Sequence, residues 1–181
     1  MEGRGSMKKY FLIIFVFVLF VSGCNSPKNT VSDQSKTQSE GVGAITSYNV
    51  ADLISMPDKI IFYHKGTSTI INKESDKYQT LVKMIKARCD SNIDLYKSGI
   101  SESDITNQRQ TNDALEFVYS NKVEAHWKVK SHNDFQYNFV YTSILFPLSG
   151  DKNNWMIFLP IQNGPLGPLK SPDDLLKYLS A

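Results

Sequence analysis

The chain has 181 residues, with 20 Lys and Arg against 18 Asp and Glu, a formal net charge of +2, and 41% hydrophobic residues. That length holds one domain of ordinary size. The small charge surplus offers no basic surface for nucleic acid, and two cysteines cannot form the framework of a disulfide-stapled scaffold.

Residues 1–6, MEGRGS, read as a tag or an upstream extension, with Met7 as the natural start. Lys8 and Lys9 then precede an unbroken apolar run from Phe11 to Val21. A positive start, a short apolar stretch and small residues behind it form a secretory signal, here residues 7–23. The run is roughly half of the ~20 residues that a spanning helix needs. Its end, Val21-Ser22-Gly23-Cys24, resembles the lipobox of bacterial lipoproteins. That resemblance implies a diacylglyceryl group on the Cys24 sulfur and cleavage just before it, chemistry that requires a thiolate nucleophile. Each buried methylene contributes about 0.8 kcal/mol and one chain alone holds only marginally, so a second chain makes the anchor stable. Removing residues 1–23 takes away Arg4, Lys8 and Lys9 against Glu2, which leaves a mature charge near zero.

Residues 24–44 carry the lipidated cysteine and a segment, NSPKNTVSDQSKTQSEGVGA, almost without large apolar side chains. Such a segment cannot bury enough surface to offset its ordering entropy. As a flexible tether of about twenty residues it reaches roughly 25 Å. Residues 45–181 form the single folded domain.

Within the domain, Asn49 to Ser55 suggests a short helix before Pro57, and Lys59 to Lys65 a strand that turns at Gly66-Thr67 into a partner, Ser68 to Asn72. Tyr78, Leu81, Val82, Ile85 and Cys89 recur at helical spacing, continued by Ile93 and Tyr96, with Ser75 as N-cap and Gly99 as the stop. Asp90-Ser91-Asn92 is a point of interruption. Ser101 to Asn112 is polar and predicts one helical turn at most. Ala114 to Tyr119 and Val123 to Lys130 alternate as strands around a turn at Ser120-Asn121-Lys122. After a turn at Ser131 to Asp134, Phe135 to Phe146 reads as a long central strand. Its first face holds Phe135, Tyr137, Phe139, Tyr141 and Leu145; its second holds Val140, Ile144 and Phe146. Trp155 to Ile161 is a strand that Pro160 ends or puts at an edge. Ser171-Pro172-Asp173-Asp174 opens a last helix, with Ser171 as cap and Pro172 at the first helical position.

The expected fold class is α+β: a curved antiparallel sheet of five or six strands in a meander, one long helix across a face, and a short C-terminal helix. Cystatin-like and NTF2-like proteins share that plan, a likeness of fold that carries no function. In composition and strand order the chain also resembles small surface lipoproteins of low-GC Gram-positive bacteria.

No cofactor is implied. No histidine pair has the spacing of a zinc site, so no metal is expected. Neither a G-x-S-x-G elbow nor a phosphate-cradling loop occurs. His64, His126 and His132 read as solvated or structural, and Cys89 as a buried, inert thiol. Asp113, Glu116 and Glu124 are the acids that a sugar-cleaving pair would draw on. The candidate binding residues are aromatics with polar handles, Trp127, Tyr137, Tyr141 and Trp155, in a strand system that also holds Tyr63. The stretch from Asn163 to Pro168 reads first as a bend delivering the last helix and second as a loop presenting Leu166 to a partner. The resulting expectation is a membrane protein anchored through Cys24 on the extracytoplasmic face, whose domain binds an envelope protein or peptide without catalysis. The alternatives are an envelope hydrolase with acids or histidines assembled across strands, and a carrier of small apolar ligands.

Overall fold

The computed structural model describes residues 43–89, 92–129 and 135–181. The expectations for the signal, the lipobox cysteine Cys24 and the tether fall on residues outside these, as do Asp90-Ser91 and the turn at 131–134. The described residues belong to one compact unit, Glu40–Ala181. Among them no helix is long and apolar enough to cross a membrane.

The described residues form eight strands and three α-helices. In order these are β1 (Ile45–Ser47), a 3-10 helix (Val50–Leu53), β2 (Lys59–His64), β3 (Thr67–Asn72), α1 (Asp76–Arg88), β4 (Asp94–Leu95), α2 (Glu102–Thr111), β5 (Ala114–Val129), β6 (Phe135–Pro147), β7 (Ile157–Leu159), β8 (Leu166–Gly167) and α3 (Asp173–Ser180). The main sheet runs β3-β2-β5-β6-β7, all antiparallel, and β1 joins it in parallel beside β5. β4 and β8 form a separate two-stranded ribbon.

The β2–β3 hairpin turns on Lys65 and Gly66, one residue earlier than expected, and both have positive φ (46° and 84°). Two left-handed residues match the twist of a two-residue hairpin loop, and glycine meets the second at no steric cost.

β5 corrects the expected meander. Ser120-Asn121-Lys122 is no turn; the chain continues as one sixteen-residue strand. The register with β6 shifts between Val118 and Val123, so the extra residues are absorbed as a bulge. β2 covers the first half of β5 and β1 the second. The alternation of β6 slips opposite the same bulge. Phe139 and Tyr141 share a buried cluster with Ile144 and Phe146, whereas Leu145 joins a second cluster. The expected grouping of Leu145 with Tyr141 therefore fails, because a bulge re-aims the side chains beyond it.

The larger cluster gathers Tyr78, Leu81, Val82 and Ile85 of α1 with Ile60, Leu115, Phe117, Ile144, Phe146 and Phe158 of the sheet. The smaller cluster, built by the alternate residues Ala114, Leu145, Ile157 and Leu159, takes Ile105 of α2. Both sheet faces are thus covered. α2 spans ten residues where the polar sequence suggested one turn. Ser101 and Asp104 close a capping box at its start, with the Ser101 N–H 2.9 Å from Asp104 Oδ2 and the Asp104 N–H 3.2 Å from Ser101 Oγ. α1 begins at the expected cap, Ser75, but ends at Arg88. Ile93 and Tyr96 are not on it, and Leu95 lies in β4 instead. α3 starts one residue late, with Pro172 in the cap position and the Ser171 hydroxyl accepting from the Asp173 N–H at 3.4 Å.

The segment between β1 and β2 carries few ladder bonds of its own and leans on aromatic donors. Tyr141 donates its hydroxyl proton to the Leu53 carbonyl, Tyr119 to that of Ser55 (3.1 Å) and Tyr78 to that of Pro57. Trp127 Nε1–H donates to the Tyr48 carbonyl at 3.3 Å. These donors come from α1, β5 and β6, so one strap is held by three elements.

Burial raises the hydroxyls of Tyr78, Tyr119 and Tyr141 above the ordinary tyrosine value of 10.0, Tyr141 to about 12. The folded protein therefore keeps protons that the unfolded chain releases above pH 10. Their contribution is complete below that value and is lost as pH rises toward the folded pKa. The urea midpoint is expected to fall steeply between pH 10 and 12, in step with tyrosinate absorbance. A midpoint flat across that window would contradict this arrangement of the tyrosines.

Candidate functional site

Three of the five candidate binding residues are core. Trp127 is 4% exposed, Tyr141 and Leu166 are fully buried. Trp127 stacks on Tyr137 at 5.6 Å and uses its N–H on the strap, as Tyr141 uses its hydroxyl. Leu166 cannot be presented to a partner: its N–H and C=O exchange bonds with Met156 (2.9 and 2.8 Å), and β8 pairs with β4. The loop is built for close approach, since a Cβ on Gly164 would lie 2.0 Å from the Tyr96 carbonyl oxygen. Tyr137 and Trp155 remain half-buried, Tyr137 beside the exposed Phe135 and Trp155 against Tyr96 at 5.4 Å.

The acids do not assemble as a catalytic pair. Glu116 and Glu124 lie on the same strand, β5, with the bulge between them, and Asp113 just precedes it. Glu124 is exposed, whereas Glu116 is buried under α2. Arg109 of α2 binds Glu116 through a two-bond fork, Nη2 to Oε1 at 2.8 Å and Nε to Oε2 at 3.0 Å. Tyr63 donates to Oε2 at 2.9 Å and Ser143 to Oε1 at 2.7 Å. Each oxygen thus accepts two bonds, which meets the capacity of an ionised carboxylate. Burial, with the Glu116 charge second, pushes Tyr63 to about 12. A carboxylate so occupied clamps a helix to a sheet and holds no lone pair ready for a reacting proton. His64 is exposed and meets Asp113 at 2.7 Å; His126 meets Asn138 at 2.7 Å. Among the described residues no three His, Cys, Asp or Glu side chains converge as metal ligands. Cys89 is buried at the end of α1, and burial raises its thiol to about 12.

Arg88 is different. It lies seven residues after Leu81, on the apolar side of α1, and is 4% exposed. Its Nε–H donates to the Lys170 carbonyl at 2.9 Å, an Nη2–H donates to that of Asn153, and the Lys170 N–H returns to the Arg88 carbonyl at 2.9 Å. Nη1 is the one buried side-chain nitrogen or oxygen among the described residues with no hydrogen-bond partner. An unmet buried donor costs about 1–3 kcal/mol, more on a charged group. No carboxylate among the described residues pairs with it, and burial depresses its guanidinium to about 10. Arg88 lines a pocket of about 300 Å³ with Met84, Ala87, Lys170, Ser171, Asp174 and Leu175, where the end of α1 meets the start of α3. The available signal in the sequence was a cation on an otherwise apolar helix stripe.

Comparison with protein-family models, curated proteins and solved structures finds no match to this chain.

The Glu116 reading is tested by Glu116→Gln. Breaking the buried pair is expected to cost about 3 kcal/mol in urea unfolding. Unchanged stability would remove the case for a structural clamp and return Glu116 to the list of reactive acids.

Proposed function

We propose that the protein is a bacterial lipoprotein, secreted and anchored through a lipidated Cys24 on the extracytoplasmic face of the membrane, with a domain that binds rather than transforms its ligand. The observation that carries this reading is the lipobox Val21-Ser22-Gly23-Cys24 at the end of a charged-then-apolar leader. The polar side chains support the second half of the reading, because the best-assembled group, around Glu116, is fully occupied with itself. The domain, with α1 as the long helix over a curved sheet, is set off from the membrane by the tether of residues 25–44. Its partners in this reading are the membrane and an envelope protein or peptide.

Full-length protein expressed in a bacterial host tests the anchor. The wild type is expected in the membrane fraction, beginning at Cys24 and carrying the mass of a diacylglyceryl group, and Cys24→Ala is expected to lose both properties. A free thiol at position 24, or an intact leader on cytosolic protein, would end the proposal.

A further inference from the structure

The Arg88 pocket carries an inference beyond anchoring and independent of it. A guanidinium has five N–H donors in a planar fork. The side edge of Arg88, Nε and one Nη2–H, is tied to the carbonyls of Lys170 and Asn153. The terminal edge is left: one proton of Nη1, a buried nitrogen with no partner, and the second proton of Nη2. That edge is the one that receives a carboxylate in the bidentate geometry. Its two anchored bonds hold the plane fixed, so the donor is already oriented and largely stripped of water, which lowers the cost of binding.

The rest of the lining narrows the ligand. The pocket sits at the N-terminus of α3, an eight-residue helix whose first-turn N–H groups favour a negative charge. Asp174 stands at the same end and opposes a high charge density, which disfavours a phosphate dianion relative to a single carboxylate. Met84, Ala87 and Leu175 supply an apolar wall for an aliphatic body. We propose that this pocket binds a small molecule bearing one carboxylate and an apolar side group, the carboxylate on the terminal edge of Arg88 and the aliphatic part against Met84 and Leu175.

The test is an NMR titration of the isotope-labelled full-length protein in mild detergent, with N-acetyl-leucinate, inorganic phosphate and sodium chloride as probes. N-acetyl-leucinate is expected to give saturable shifts at the Arg88 side-chain N–H and the backbone amides of Ser171, Asp173, Asp174 and Leu175, with phosphate weaker and chloride without saturable effect. Arg88→Met is expected to abolish the response. Because that change removes two bonds to the backbone, the exposed Asp174→Asn provides a second variant in a folded protein. It is expected to tighten N-acetyl-leucinate binding by about threefold or more, since it removes an opposing charge near the site. The absence of saturation, phosphate binding tighter than the carboxylate, or an affinity unchanged in Asp174→Asn would each overturn the assignment.

Discussion

The strap between β1 and β2 sets the terms for the rest of the fold. Leu53, Ile54 and Pro57 are buried, yet their stretch of chain lies in no strand and finds few partners among its neighbours. Buried carbonyls must be matched. Here the donors are Trp127, Tyr141, Tyr119 and Tyr78, serving the carbonyls of Tyr48, Leu53, Ser55 and Pro57. An aromatic ring with one polar atom suits this task, because it fills the core and ends in a hydrogen bond. The strap's carbonyls are met by donors from α1, β5 and β6, so local order in the first part of the domain depends on contacts far along the chain.

The two sides of the sheet are closed by different chemistry. On the α1 side apolar packing dominates, reinforced by edge-to-face pairs such as Phe117 with Phe146 at 5.1 Å and Tyr119 with Tyr141 at 5.3 Å. On the α2 side the helix has little apolar surface to offer. It is secured by Ile105, by Gln108 reaching the carbonyls of Asp113 and Ser149, and by the Arg109–Glu116 fork. With both faces closed, the unmet donor of Arg88 stands out where the end of α1 meets α3. The proposed anchor addresses where the protein sits, and the proposed ligand of the pocket addresses what it holds.

Elements with a strong local signature were legible in the sequence. The β2–β3 hairpin alternates around a glycine, Ser75 caps α1, and Pro160 follows β7 at the sheet edge. The coverage of the second half of β6 was visible in its apolar run, but its faces were exchanged: Ile144 and Phe146 lie with Phe139 and Tyr141, and Leu145 opposite. What escaped were features decided by distant partners. α2 is polar on nearly every side, so its period carried no signal; its stability comes from a capping box and from Glu116, seven residues beyond Arg109. Ser120-Asn121-Lys122 has turn chemistry but is held in a strand by its long neighbours, and the surplus residues became a bulge. Trp127 and Tyr141 carried polar handles that could equally face a ligand or a backbone carbonyl, and only the fold assigns them to the strap. Leu166 sits in a loop rich in turn residues, yet pairing with Met156 draws it fully inside.

The strap is tested most directly by urea unfolding of the double variant Tyr119→Phe, Tyr141→Phe, which removes two hydroxyls and leaves both rings. Loss of about 2–4 kcal/mol is expected, because the carbonyls of Ser55 and Leu53 would remain buried without donors. Stability equal to that of the parent protein would contradict the account, since the strap would then be held by packing alone.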